Sequence, residues 1–323
     1  EKEGSESNYI VADPYAVPGA DALPPVWEAL GFPADCCGLL SADPAANKRK
    51  LKDDWDNVSG RIVLDYLHSD NQMMYASISS GYKAGGFRLG SLQENPSFDP
   101  EEVISYEIGY KATFDDVLRV NASAYFYDYS DMQVLVPVLN DVNLPVQEIV
   151  NADESEVKGF EVEATWLATD NLTLMANYSY IDGEYTNFCC AVDTIADPDS
   201  NEEQDLSGNP LTQAPKNKIF TNASYSWVTG ELGEFILSGS YSWVDSRQYD
   251  VFNTASTQAD SYFRVDASLT WFSPSQAIRV IMSGKNLTEE ETWVSLNRLN
   301  EFGAVSGYAN EPLTYSLEVQ YAF

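Results

Sequence analysis

The sequence predicts an all-β fold, in which about eleven antiparallel strands form a segment of a transmembrane β-barrel. Apolar and polar residues alternate along many segments, and about ten such residues are the span of a tilted membrane strand. No run approaches the roughly 18 consecutive apolar residues of a membrane helix. Aromatic residues make up 13% of the 323 residues, including 20 Tyr and 7 Trp, which suits aromatic girdles at two membrane interfaces.

The last strand carries the clearest pattern. Apolar side chains occupy every second position of residues 312–323: Leu313, Tyr315, Leu317, Val319, Tyr321 and Phe323. Because a strand alternates its side chains between two faces, one face here is wholly apolar. The terminal Phe resembles the closing strand of bacterial outer-membrane barrels. The alternative is a soluble, Tyr-rich β-sandwich.

Five hairpins with the same alternation precede this strand. Their arms are 62–66 with 74–82, 104–114 with 118–126, 160–166 with 172–178, 219–227 with 235–243, and 263–271 with 278–282. Each hairpin closes through a short turn, and ten arms plus the last strand give eleven strands. The alternation predicts that large apolar residues face lipid, namely Phe160, Trp166, Phe263, Trp271, Tyr315 and Leu317. Their charged neighbours then face the lumen, namely Glu161, Glu163, Arg264 and Glu318.

Long polar segments separate the hairpins, near 84–103, 130–152, 185–213, 248–260 and 288–311. Outer-membrane barrels have short periplasmic turns and longer extracellular loops, so these segments are predicted to be extracellular. Residues 1–54 then form another extracellular loop or lead-in, and residues 55–323 form the barrel region. The chain opens EKEGSESNYI without Met, which suggests a processed or partial sequence.

The odd strand count predicts an incomplete barrel. Single-chain bacterial barrels have even strand numbers, and an open sheet edge in lipid leaves backbone groups unpaired. Eleven strands are half of a 22-stranded barrel, so the segment is predicted to be the C-terminal half of such a barrel. We expect that these residues do not close a barrel alone.

Charge and chemistry exclude other classes of protein. A formal net charge of -32 argues against a nucleic-acid partner, since phosphate contacts need Lys and Arg. The single His, His68, lies in a predicted turn, where sequence neighbours do not build a serine triad. We therefore predict no enzyme and no catalytic residues.

Six short sequence motifs resemble motifs of one protein family. They are YASISSGYKAGGF at 75–87, SYEIGYK at 105–111, YFYDYSDMQV at 125–134, GFEVE at 159–163, NPLTQAPK at 209–216 and GKNLT at 284–288. In this order they resemble the barrel of TonB-dependent outer-membrane receptors, from about residue 55 to the end.

The resemblance implies a 22-stranded barrel around an N-terminal plug domain, which is not seen in this chain. It implies energy-dependent import of a bulky, scarce nutrient, most commonly an iron–siderophore complex. The implied partners are outer-membrane lipid, the N-terminal barrel half and plug, the TonB complex through that plug, and the barrel-assembly machinery at the Phe323 strand. A passive porin-like channel and a structural or adhesive surface barrel are the alternatives.

Loop residues supply the candidate ligand contacts, because aromatic faces and guanidinium groups are good recognition groups. The candidates are Phe87, Arg88, Tyr249, Phe252, Trp293, Arg298 and Phe302. Simple loop packing is the alternative role for each of them. Asp193, Asp197 and Asp199 lie in an acidic loop, where Ca²⁺ is a possible ligand and a solvated loop the alternative. No other cofactor is expected.

The four cysteines occur as two adjacent pairs, Cys36-Cys37 and Cys189-Cys190. Both pairs fall in loops assigned to the oxidising cell exterior, where disulfides persist. Three pairings are open. We predict at least one disulfide, with a bond between the two loops slightly favoured over bonds between neighbours.

Overall fold

The computed structural model describes residues 2–10, 48–88, 96–139, 145–196, 202–299 and 304–322. The strands in chain order are β1 (Lys2–Ile10), β2 (Lys48–Asp56), β3 (Arg61–Ser69), β4 (Gln72–Lys83), β5 (Gly86–Phe87), β6 (Ser97–Phe98), β7 (Glu101–Phe114), β8 (Leu118–Leu139), β9 (Pro145–Leu167), β10 (Leu172–Asn187), β11 (Cys189–Val192), β12 (Glu203–Asp205), β13 (Asn217–Thr229), β14 (Gly233–Val244), β15 (Arg247–Gln248), β16 (Gln258–Ala259), β17 (Tyr262–Phe272), β18 (Ile278–Lys285), β19 (Trp293–Arg298), β20 (Val305–Ala309) and β21 (Thr314–Tyr321). Two short 3-10 turns are Gly230–Leu232 and Ala255–Thr257. Among the described residues no helix is long and apolar enough to cross a membrane.

Eleven strands form one antiparallel sheet, in the order β21-β18-β17-β14-β13-β10-β9-β8-β7-β4-β3. The predicted count and all five predicted hairpins are confirmed. β3 and β21 are the two edges of this sheet, and their side chains are exposed throughout. Because the number of strands is odd and every pairing is antiparallel, the two edge strands run in the same direction.

The strand register separates an apolar face from a polar face. Trp166 lies opposite Leu174 and Val162 opposite Tyr178, while Glu163 lies opposite Asn177 on the other face. The predicted lipid-facing residues Phe160, Trp166, Phe263, Tyr315 and Leu317 are all exposed. In a barrel segment, exposed apolar side chains of this size are the surface that lipid covers.

Aromatic side chains border the apolar face at both ends. Ring contacts at the end with long connections are Tyr106–Phe126, Phe160–Tyr180 and Tyr241–Phe263, with centroids 5.7–6.3 Å apart. At the short-turn end lie Trp166, Trp227 and Trp271. Two residue pairs beyond Phe160 and Tyr180, Asp182 accepts a 2.8 Å hydrogen bond from Lys216 and faces Lys158 at 3.7 Å. This change from aromatic to ionic groups marks the upper limit of the membrane band.

Two tyrosines of the polar face cover glycines on the neighbouring strand. Tyr75 lies opposite Gly109, and Tyr125 lies opposite Gly159. A side chain at either glycine would collide with the tyrosine ring, so only glycine fits there. Tyr75 also donates a hydrogen bond to Glu107, which fixes its ring across the sheet.

The prediction that residues 130–152 form a loop is wrong. β8 and β9 continue as a paired hairpin to Leu139 and Pro145, well beyond the aromatic border. Val134 and Val136 are buried there by packing against residues distant in sequence. The strand pattern is hidden in the sequence because apolar residues occupy both faces and Pro137 interrupts them. The segments 248–260 and 288–311 likewise contain short ribbons, β15–β16 and β19–β20.

A separate two-stranded ribbon pairs β1 with β2, from Lys2 opposite Asp56 to Ile10 opposite Lys48. It lies within the segment predicted as a lead-in, and the extracellular placement of that segment stays a prediction. Near the end of β2, the Trp55 ring lies 6.2 Å from the Phe87 ring.

Candidate functional site

Segments from five parts of the chain pack together at the end of the sheet where the long connections lie. They are residues 132–138 with 147–152, 185–196, 205–213, 247–259 and 293–298, which we call the roof. An apolar cluster joins four of them, made of Val134, Val136, Ala152, Tyr185, Phe188, Leu206 and Val251. The fifth segment is joined through Asn297, whose side chain accepts a 3.1 Å hydrogen bond from Gln147. The roof is thus a packed unit and not a set of separate loops.

Arg298 is the charged centre of the roof. Its two Nη groups donate to the Asp193 carboxylate at 2.7 and 2.9 Å, and its Nε pairs with Asp250. All three side chains are 5% exposed or less. The Phe252 ring packs against the guanidinium, 5.2 Å from its central carbon. Two carboxylates and one guanidinium leave a net charge of −1 in this buried cluster when both acids are ionised.

Burial raises the pKa of Asp250. The effect of burial exceeds the opposing effects of the 3.0 Å hydrogen bond from the Phe252 amide and of the Arg298 charge. The nearby Asp193 carboxylate adds to the rise.

A cavity of about 530 Å³ opens beside this cluster. Its polar lining consists of amide and hydroxyl side chains, from Gln133, Gln147, Thr212, Gln213, Tyr249, Thr257, Ser295 and Asn297. The apolar lining comes from Met132, Val134, Leu135, Pro137, Tyr185, Leu211 and Leu296. Asp250 and Arg298 are its charged lining residues. Its volume and its mixture of apolar walls with convergent polar groups are those of a small-molecule site.

Two polar residues show how the walls are fixed. Gln147 donates to Asn297, and its carbonyl accepts a 2.9 Å hydrogen bond from Arg88 Nε. Gln213 has a φ of 58°, and its backbone N–H donates a 2.7 Å hydrogen bond to the backbone carbonyl of Gln248. A left-handed backbone at a residue other than glycine is held only by its surroundings, and such residues are frequent at ligand sites.

The roof brings together most of the ligand residues predicted from the sequence. Tyr249 and Arg298 line the cavity, and Phe252 packs on Arg298. The Trp293 carbonyl accepts a 2.7 Å hydrogen bond from the Tyr249 hydroxyl. Arg88 reaches the cavity wall through Gln147, whereas Phe87 packs against Trp55. Phe302 lies outside the described residues, and a binding role for any of these residues stays a prediction.

Sequence reasoning missed the amide groups of the cavity. Gln147 and Asn297 belong to no motif, and together with Gln213 they lie in three separate segments that only the folded roof brings together. The motif NPLTQAPK at 209–216, which contains Gln213, was the one signal that pointed to this region.

Both carboxylate oxygens of Asp193 accept hydrogen bonds from Arg298, and the calcium role predicted for this residue stays a prediction. Its predicted companions Asp197 and Asp199 lie outside the described residues. Among the residues that the structure describes, no group of three or more His, Cys, Asp or Glu side chains is arranged to hold a metal ion.

Cys189 and Cys190 form a disulfide between sequence neighbours. The preference for a bond between loops is therefore wrong for this pair. Side chains of adjacent strand residues normally point to opposite faces. The β11 register shifts between Cys189 and Ala191, and Cys190 has a φ of 94°, so the normal alternation is broken here. Cys36 and Cys37 lie outside the described residues.

Comparison with known proteins gives a consistent result. A family model described as "TonB dependent receptor-like, beta-barrel" matches residues 40–287. The pesticin receptor of Yersinia enterocolitica is 28% identical over 153 residues, which are 46% of this chain and 21% of that receptor. A probable TonB-dependent siderophore receptor, PiuA of Acinetobacter baumannii, is 25% identical over 247 residues, or 73% of this chain and 30% of the relative. The chain thus spans less than a third of these relatives.

Solved structures share the fold. The ferric yersiniabactin uptake receptor FyuA from Yersinia pestis superposes with a TM-score of 0.69 at 19% identity, covering 85% of this chain and 38% of that one. The siderophore receptor PiuA from Acinetobacter baumannii gives a TM-score of 0.67 at 21% identity, covering 87% of this chain and 38% of that one. At these identities the likeness concerns the fold alone.

Proposed function

Because the chain belongs to the TonB-dependent receptor β-barrel family, we propose that it is the loop-bearing part of a receptor that imports a metal chelate across the bacterial outer membrane. An iron–siderophore complex is the proposed substrate. The proposal requires an N-terminal barrel half with a plug, and the TonB complex acting through that plug. Lipid covers the apolar face, and the barrel-assembly machinery recognises the Phe323 strand.

The observation that carries the proposal is the packed roof with its cavity. A receptor must hold a scarce ligand before import, and a preformed cavity of about 530 Å³ with convergent amide and hydroxyl groups suits that task. Relatives named as a siderophore receptor and as a ferrichrome outer membrane transporter support a metal chelate as the ligand.

A passive channel is not favoured. Diffusion through a pore needs no preformed ligand cavity, whereas capture does. A surface adhesin would use the outer side of the roof instead of its cavity, and substitutions in the cavity would then leave its function unchanged.

Uptake measurements test the proposal. The gene is deleted in its native host, and radio-iron uptake from several siderophores is measured under iron limitation, with and without a protonophore. We expect deletion to abolish uptake from at least one chelate, and the protonophore to abolish it equally in the wild type. Uptake that continues with the protonophore would indicate a passive channel, and unchanged uptake after deletion would refute import.

A further inference from the structure

The cation beside the cavity is already paired with carboxylates of the protein. Among the described residues that line the cavity, Arg298 is the one cation, and it is held by Asp193 and Asp250, which leaves this cluster with a net charge of −1 when both acids are ionised. A ligand that approached Arg298 would have to displace a buried ion pair. Breaking such a pair leaves an uncompensated charge away from water, which is strongly unfavourable.

Two neighbouring cations contact the protein outside the cavity. Arg247 lies between the rings of Tyr249 and Tyr262, 5.4 and 5.3 Å from their centroids, and donates to the Tyr249 hydroxyl at 2.8 Å. Arg88 donates its Nε to the Gln147 carbonyl. Neither side chain lines the cavity.

The remaining polar groups are uncharged. Gln213 and Asn297 line the cavity with side-chain amides, and Thr212 and Ser295 line it with hydroxyls. Amides and hydroxyls both donate and accept, so they match a ligand rich in carbonyl, hydroxyl and amide groups. They do not neutralise a ligand that carries several negative charges, and desolvating such a ligand without a counter-charge is costly.

Resting on the proposed function, we infer that this cavity selects a metal chelate without net negative charge, held by hydrogen bonds to amide and hydroxyl side chains. Hydroxamate chelates of ferric iron belong to this class. Tris-catecholate chelates of the same metal are polyanions and belong to the class that the cavity rejects.

Binding to the complete receptor in detergent tests the inference, with two probes that hold the same metal. Ferric deferoxamine represents the hydroxamate class, and a ferric tris-catecholate represents the polyanionic class. We expect the hydroxamate chelate to bind at least about tenfold more tightly. Asn297→Ala should weaken its binding about fivefold, the usual effect of one lost hydrogen bond.

A charge-gain variant keeps the test decisive if Asn297→Ala disturbs the roof. Gln213→Lys places a free ammonium on the exposed rim of the cavity and should strengthen catecholate binding several-fold. Gln276→Lys is its matched control, because Gln276 is also exposed, has a φ of 57°, and lies in a turn at the opposite end of the sheet. The control should leave both affinities unchanged.

Catecholate binding equal to or tighter than hydroxamate binding overturns the inference and leaves import itself standing. Binding of neither probe also overturns it, since the cavity then recognises neither class. Import is judged separately, by the uptake lost on gene deletion.

Discussion

Arg298 binds Asp193 across 105 residues of chain, through two hydrogen bonds of 2.7 and 2.9 Å between buried side chains. The contact joins the β19–β20 ribbon to the loop that follows β11. Asp250 adds a third segment through Arg298 Nε. A paired geometry of this kind fixes both distance and orientation, so it holds three of the long connections in one arrangement.

Replacing Arg298 with Ala is expected to open the roof without unfolding the sheet. Asp193 and Asp250 would be left buried without a counter-charge, and loss of one partner of a buried pair costs about 3–5 kcal/mol. Hydrogen exchange should rise at the Phe252 amide, which donates to Asp250, and at the Leu299 amide, which follows Arg298 and donates to the Ala304 carbonyl, and it should stay slow in β13 and β14.

The exposed pair between Lys83 and Glu101, 4.0 Å apart, provides the control. Exposed pairs contribute between zero and about 1 kcal/mol, so Lys83→Ala should leave roof exchange unchanged. Equal effects of the two substitutions, or no effect of Arg298→Ala, would show that the ion cluster does not hold the roof.

The barrel wall was predictable from the sequence because its strands obey a single local rule. Lipid on one face and solvent on the other impose alternation, and short turns such as the one at Asp115 and Asp116 set each register. The roof obeys no such rule. Val134 and Val136 are buried by Tyr185 and Val251, residues whose proximity depends on how separate connections pack.

The roof should become more stable as the medium is acidified toward the pKa of Asp250. Burial raises this pKa, so the closed roof binds the proton more tightly than the opened one. The stabilisation is fully present below the ordinary carboxyl pKa of about 3.9, and it is lost as pH rises through the raised value. Exchange at the Phe252 amide, corrected for its intrinsic pH dependence, should report this change.

Asp250→Asn provides the comparison for that measurement. The amide keeps the shape of the side chain but does not titrate, so the pH dependence of roof opening should flatten. A variant with the same pH profile as the wild type would assign the effect to a different group.

Adjacent substitutions in β9 test which face of the sheet meets lipid. Val162 lies between Ala122 and Tyr178 on the apolar face, and Glu163 is its neighbour on the polar face. Val162→Arg should destabilise the folded receptor in lipid vesicles by about 2–4 kcal/mol, whereas Glu163→Arg should be tolerated. Urea titration measures the free energy of unfolding of both variants, with the folded fraction read from the heat-dependent shift of the folded band in gel electrophoresis. The opposite order would place the polar face against lipid.

Candidate site residues were predictable only in part, for a related reason. Tyr249 and Arg298 stand out because aromatic and guanidinium groups are recognisable as binding chemistry wherever they occur. The pairing of Asp193 with Arg298 was not predictable, since an acidic loop with no basic residue nearby in sequence gives no sign of a cation that lies 105 residues away in the chain.

The disulfide between Cys189 and Cys190 gives a prediction for protein chemistry. Alkylation of the unreduced receptor should leave the peptide that contains this pair unlabelled, and reduction should make both of its sulfurs reactive. Mass spectrometry of the digests distinguishes the outcomes, and replacing Cys36 and Cys37 together with Ser should not alter them. Because the shifted β11 register and the φ of 94° at Cys190 break the strand alternation between the two residues, no partner from another loop is needed. A peptide joining this pair to residues 36–37, or free thiols at 189 and 190 before reduction, would contradict the assignment.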